Sequence, residues 1–400
     1  MRVCVFGSEI GPVKKGIFVG GAAVSAIRLG RTLHTLGDAV FVFSSAPRGK
    51  PSKIYKFKWG VVVNKRIPGR YNSLPYNISF ILISLLGLWF FCRRNKVDVI
   101  SSHSGSVLLS IIPSIIGKFL RIPVIHTQYC VFDLQQRSWV NRSFSYALAK
   151  LCLKSPTRLV VISRNVYDSL MKAGVSIERL DIIPPIIPVF EKASNPDYTY
   201  RKRLGLKHED FVAIFVGNLK KNKGIDILLK AFHDLIEDGC RLKLIITTEL
   251  IHGAFSERKK ALSEYLLKHD LVNSVFWLDI VDDILTLLRE ADVLVVPFLN
   301  LKGISDYPLV TLEAISVGTP VIASDVGGIR EIFQDKETGI LVPSGDSEAL
   351  HKALKNIVTN KKLEHRLRDS VQRFPLHCYD AGVVGRKYQE LFLRELNEIG

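Results

Sequence analysis

Short apolar runs alternate with longer helical patterns along this chain, and that alternation restricts the fold more than any other feature. Residues 3–6, 40–43, 97–100, 123–125 and 159–162 read as strands in the first half. Residues 212–216, 242–246, 275–278, 293–296 and 320–323 do so in the second. Strands separated by helical crossovers build parallel sheets covered on both faces, so the class is α/β. At 400 residues the chain exceeds the usual size of one core. Two Rossmann-like domains are therefore expected. The stretch "IIPPIIPVFEKASNPD", rich in Pro and polar residues, places a linker near residues 184–198. This gives a first domain over 1–190, a second over 191–378, and a final helix over 379–400 that packs back on the first.

Charge divides along the same boundary. Residues 1–190 hold 26 Lys and Arg against 7 Asp and Glu, whereas the remainder holds 29 against 31. A basic half facing a neutral one implies different partners. No RNA-recognition or helix-turn-helix pattern accompanies the charge, so no nucleic acid is expected; a membrane surface or an anionic acceptor fits better. The six cysteines are scattered without a C-x-x-C pair, which argues against a disulfide framework or a zinc site. The opening "MRVCVFGSEIG" lacks the apolar core of a signal peptide, and a cytoplasmic location follows as an expectation. Residues 78–92, "ISFILISLLGLWFFC", precede Arg93, Arg94 and Lys96. They fall short of the ~20 residues that cross a bilayer. They read as a buried helix over a sheet or as one partly seated in a membrane surface.

"PLVTLEAISVGTPVIAS" at 308–324 carries the most specific chemistry. Pro308 opens a helix and Gly318 follows its end. The first-turn amides of Leu309, Val310 and Thr311 form an anion site. Glu313 lies roughly 7 Å further along the axis at ~1.5 Å per residue, the right spacing for a ribose whose phosphates occupy the helix end. The alternative is a glutamate at the exposed edge of a covering helix. "VGNLKKNKGIDILLKAF" places Lys220, Lys221 and Lys223 in a loop at a strand end, where charge can meet a diphosphate. "SDVGGIREI" offers a further Gly pair at a strand end. Gly20 and Gly21 open a helix after the first strand, either for close approach to a substrate or for a tight turn. His103 ends a strand, and a lone histidine there is catalytic or structural.

Taken in order, these segments, with "DVISSHS", "VVISRNVYDSL", "ADVLVVPF" and "TGILVP", resemble the family 4 glycosyltransferases over nearly the whole chain. The resemblance implies the GT-B architecture, in which two Rossmann-like domains with parallel sheets face an interdomain cleft. It implies retaining transfer of a sugar from a nucleotide-sugar donor to a glycan or lipid-linked acceptor, with no metal cofactor. By that likeness Glu313 holds the ribose and Lys223 the diphosphate. Leu309, Val310 and Thr311 bind phosphate, Gly20 and Gly21 approach the donor phosphates, and His103 stands beside the reacting sugar. Backbone near Ile280 and Val281 meets the base, and Asp282 and Asp283 serve as surface or capping residues.

The chain departs from the family pattern at Asn218, where an Arg is usual, and at Ser305, where a first Glu is usual. Lys220 or Lys221 can replace the Arg charge, and Asp306 can replace the Glu. Tyr129 stands where many relatives carry a His. The expected catalytic set is His103, Lys223 and Asp306, and the expected location is the cytoplasmic face of an anionic membrane. A catalytically silent nucleotide-sugar-binding subunit and a nucleotide-sugar epimerase are the alternatives.

Overall fold

The computed structural model describes all residues except 9, 13–16, 19, 46–50, 69–72, 133–150, 189–198, 249–253, 334–337 and 400. Two units divide the chain. Met1–Ile186, Gly303–Asp306 and His377–Gly400 form the first; Ile187–Lys302 and Tyr307–Leu376 form the second. Most of the expected linker, residues 189–198, lies outside the described residues.

The first unit is built on eight described strands: β1 (Arg2–Gly7), β2 (Ala39–Ser45), β3 (Lys53–Phe57), β4 (Gly60–Lys65), β5 (Val99–Ser104), β6 (Val124–Gln128), β7 (Arg158–Val161) and β8 (Leu180–Ile182). Their order is β3-β4-β2-β1-β5-β6-β7-β8. Every pair is parallel except β3 with β4. Val3, Val5 and Val99 meet the helices Gly21–Thr35 and Ala381–Ile399 on one face, through Ala26, Leu33, Tyr388 and Phe392. On the other face Phe6, Phe43 and Ile100 meet the helices Leu74–Asn95 and Ile111–Leu120.

The helix Leu74–Asn95 corrects the reading of residues 78–92. Ser73 caps it by accepting from the Tyr76 N–H, and Lys96, left-handed at φ 49°, ends it. At 22 residues it is long enough to cross a bilayer, which the apolar core alone was not. Nor is it simply buried: only 17% of an 18-residue apolar stretch within Pro75–Asn95 lies inside the chain. Ser84, Leu88 and Cys92 cover the sheet, while Leu82, Leu86 and Phe90 do not. Apolar residues on both faces concealed this division.

The second unit holds six described strands: β9 (Phe211–Val216), β10 (Leu242–Thr247), β11 (Val275–Leu278), β12 (Val293–Val296), β13 (Val321–Ser324) and β14 (Gly339–Val342). All pairs are parallel, in the order β11-β10-β9-β12-β13-β14. Strand order therefore reverses between β9 and β12, and ligands of such sheets bind beyond the carboxyl ends of strands at that reversal. Phe215, Leu244, Val295 and Ile322 centre its core.

Candidate functional site

The expected site residues fall into two sets, one in each unit. In the second unit, the loop leaving β9 turns at once: Asn218 Oδ1 accepts from the Lys220 N–H at 3.3 Å, and a 3-10 turn spans Lys221–Lys223. Gly224 then begins the helix Ile225–Glu237 with φ 70°. A Cβ there would lie 1.7 Å from the Pro297 carbonyl oxygen, so no other residue fits without moving the backbone. This close approach brings the β9 loop against the end of β12. The Lys223 ammonium comes to rest 3.9 Å from the centroid of the Phe298 ring. Lys223 is half-buried, and Lys220 and Lys221 are exposed. Lys223 is thus the most buried of the three lysines of this loop.

The helix Leu309–Ser316 begins after Pro308, which takes the capping position. One expectation needs correction here. The Thr311 N–H donates to the Pro308 carbonyl at 3.0 Å, so the amides that stand ahead of the helical ladder, where an anion could be met, are those of Leu309 and Val310. Thr311 is fully buried, and its Oγ1 has no partner among the described residues. Glu313 is 6% exposed, which removes the alternative of a glutamate at an exposed helix edge. Burying a carboxylate costs free energy unless it is hydrogen-bonded or paired. Asp283 caps the helix Ile284–Arg289 by accepting from the Thr286 N–H at 3.1 Å, and Ile280 and Val281 before it are half-buried.

In the first unit His103 lies at the end of β5 and is 2% exposed. Both ring nitrogens are engaged: Nε2 with Ser101 Oγ at 2.9 Å and Nδ1 with the Tyr129 hydroxyl at 2.9 Å. Burial, with the charge of His126 nearby, pushes its pKa down to about 3. His126 pairs through Nδ1 with Ser102 Oγ at 3.0 Å, and burial lowers its pKa to about 4 against the opposing hydrogen bond of Gln128. Both imidazoles are neutral near pH 7. The neutral His103 ring thus has both nitrogens occupied, one of them by the Tyr129 hydroxyl. Burial in turn raises the Tyr129 phenol well above its ordinary value.

Asp306 is fully buried in the same unit. Its Oδ2 accepts from Ser163 Oγ at 2.6 Å and its Oδ1 from Asn165 Nδ2 at 2.8 Å, while its N–H donates to the Tyr129 carbonyl at 2.8 Å. Each carboxylate oxygen thus has a donor inside the protein. Gly20, with φ 88°, and Gly21 open the helix Gly21–Thr35, and both are exposed. A Cβ on Gly21 would meet that of half-buried Ser305 at 3.9 Å. The structure therefore joins Gly21 with Ser305, and Asp306 with Tyr129 and His103. Three supporting residues escape a reading of the sequence alone. Phe298, Ser163 and Asn165 lie in segments that carry the family resemblance, but the sequence assigned them no role.

The family model Glycosyl transferases group 1 matches residues 197–374, and Glycosyltransferase Family 4 matches residues 19–189. A D-inositol 3-phosphate glycosyltransferase of Streptomyces bingchenggensis (strain BCW-1) is 25% identical over 371 residues, covering 87% of this chain and 79% of that protein. One of Corynebacterium aurimucosum is 24% identical, covering 90% and 88%. Among solved structures, Anabaena HepE in complex with UDP-glucose superposes with a TM-score of 0.77 at 16% identity, over 98% of this chain and 100% of that one. WaaG, a glycosyltransferase involved in lipopolysaccharide biosynthesis, does so at 0.73 and 18% identity, over 98% and 99%.

Proposed function

The chain belongs to the group 1, family 4 glycosyltransferases and has the GT-B fold, and from that premise we propose that it moves a sugar from a UDP- or GDP-sugar to a glycan or lipid-linked acceptor with retention at the anomeric carbon. The observation that carries this reading is the half-buried Lys223 ammonium at the end of β9, next to β12, whose following helix carries buried Glu313. A cation and a helix start on one side of a strand-order reversal suit a diphosphate, and a buried carboxylate farther along the helix suits vicinal hydroxyls. Relatives named as inositol phosphate glycosyltransferases, and a neighbour of this fold solved with UDP-glucose, support a nucleotide-sugar donor.

In this reading the barrier lies in departure of the diphosphate. Lys223 and the amides of Leu309 and Val310 stabilise the charge that grows on it, where fixed dipoles need no reorganisation. The countercharge comes from the protein, so transfer should persist in a chelator. No protein nucleophile is needed when attack and departure occur on the same face of the sugar. Neutral His103 holds Tyr129 rather than attacking, and Asp306 holds the strand ends that bear Tyr129 and Ser163. The first unit takes the acceptor, in the synthesis of a cell-surface polysaccharide or glycolipid on the cytoplasmic face of a membrane.

Calorimetry with UDP and GDP, followed by incubation with UDP- and GDP-sugars and NMR of the released or transferred sugar, tests the proposal. Binding with slow hydrolysis or transfer is expected. Binding with no turnover would favour a silent nucleotide-sugar-binding subunit, which Asn218 and Ser305 make the relevant alternative. No binding of either nucleotide would overturn the reading.

A further inference from the structure

We infer that one face of the first unit, formed by the helices Leu74–Asn95 and Ile111–Leu120 beside strand β3, docks on an anionic lipid bilayer without crossing it. The inference deepens the proposal of a lipid-linked acceptor and rests on it only for its biological purpose. The apolar part is a row. Ile78 (49% exposed), Leu82 (53%), Leu86 (61%) and Phe90 (64%) recur every fourth residue, so they share one side of the helix, with Ile81 beside them. Phe119 on the neighbouring helix is 80% exposed and Ile115 is 41% exposed. Large side chains standing out together from two packed helices need a cover.

Basic residues rim this row. Arg93, Arg94, Lys96, Lys118 and Arg121 are all exposed at the ends of the two helices. Strand β3 adds to them through its register: Ile54 pairs with Val63 and Lys56 with Val61, and both valines pack on the side of the sheet that these helices cover. Paired residues of an antiparallel ladder share a face, so Ile54 and Lys56, both exposed, point to the same side. Across residues 39–132 there are 13 Lys and Arg and a single acid, Asp98. The Asp98 carboxylate already accepts from the Arg2 N–H.

These features select the occupant. A second copy of the chain, packed symmetrically on this face, would bring one basic rim against another. Nucleic acid would answer the charge but not the aliphatic row, since its single strands are read by stacked aromatics. An anionic bilayer answers both, with headgroups for the rim and the acyl boundary, ~5–10 Å deep, for the row. The helix stays on the sheet rather than spanning. A Cβ at Gly87 would come 2.5 Å from the Phe43 ring, so helix and sheet are in closest contact there, and Leu88 and Cys92 are buried beside it.

The test compares the full chain with two variants. One carries Leu82→Gln, Leu86→Gln and Phe90→Gln, which change exposed side chains only. The other carries Arg93→Ser, Arg94→Ser and Lys96→Ser. Co-sedimentation with phosphatidylcholine vesicles, with and without phosphatidylglycerol, is measured at low and high salt. Circular dichroism confirms folding, and UDP and GDP calorimetry is run on the same samples. The wild type is expected to prefer the anionic vesicles. The glutamine variant should lose about tenfold or more of its binding, and the serine variant should lose the anionic preference, with nucleotide affinity equal in all three. Wild type that sediments with neither vesicle, or a glutamine variant that binds like wild type, would overturn the inference. So would light scattering that shows a wild-type dimer dissociated by the glutamine changes. If the vesicle results hold and neither nucleotide binds, the docking face stands while the donor reading falls.

Discussion

In the proposed reaction Lys223 acts on the departing diphosphate only if its ammonium is held in place. The face of the Phe298 ring attracts the Lys223 ammonium by ~0.5–2 kcal/mol and helps to fix its position. Phe298→Leu keeps an apolar side chain but removes the ring face. It should lower kcat by a few-fold to about tenfold, with Phe298→Tyr restoring most of it, and Lys223→Ala should lower kcat as well as raise KM. A kcat untouched in Phe298→Leu would end the positioning role. Glu313 admits a separate test. If its carboxylate holds the ribose, Glu313→Ala should weaken UDP or GDP by roughly 1.5–3 kcal/mol per lost charge-assisted hydrogen bond, as read by calorimetry. Equal affinity would remove the assignment. The loop that bears Lys223 and the helix that bears Glu313 were legible in the sequence because a Gly or Pro punctuates each. Phe298 was not, because a ring–cation contact depends on two strand ends brought together by the fold.

Elements were legible in proportion to their burial. The central strands β1, β2, β5 and β9 came from plain apolar runs, since a strand covered on both faces has no reason to carry charge. Strand β3 was missed because it lies at the sheet edge and alternates Lys53 and Lys56 with Ile54, Tyr55 and Phe57. Edge strands often carry lysines that discourage pairing with another chain, which erases the signature of a core strand. The helix Ala381–Ile399 makes the same point from the other side. It is remote in sequence, yet Val384, Tyr388, Leu391 and Phe392 are each at most 4% exposed. The Tyr388 hydroxyl meets Thr127 Oγ1 at 3.0 Å, and Glu395 pairs with Arg158 at 2.5 Å. Burial of a large apolar side chain contributes about 1.5–3 kcal/mol. Removing residues 381–400 should therefore unfold or aggregate the first unit, whereas Tyr388→Phe should cost only about 1 kcal/mol. Circular dichroism and urea melts check both, and a stable truncated chain would show that the helix is dispensable to the core.

At the scale of the whole molecule, the two units differ in how they meet acid. His103 and His126 are both buried in the first unit, with pKa values pushed from 6.5 to about 3 and about 4. The unfolded chain binds protons at these sites as pH falls through about 6.5, while the folded unit resists until about 3 to 4, so acid pulls toward unfolding across that window. Their contribution to stability is thus full above pH 6.5 and is lost as pH falls toward the folded values. The groups that face them, Ser101, Ser102, Tyr129 and Gln128, carry no countercharge that would reverse the sign. In the second unit the corresponding group is Glu364. Burial raises its pKa, but hydrogen bonds from Lys361 and Arg368 outweigh that and leave it lowered from 4.5, so its contribution persists to lower pH. Acid should therefore loosen the first unit before the second. Hydrogen exchange between pH 7 and pH 4 reads this directly, because peptides from β5 and β6 should lose protection while those from β9 and β10 keep it. His126→Gln should shrink the interval between the two losses. Loss of protection in both units in one step would show that the buried histidines do not govern the acid response.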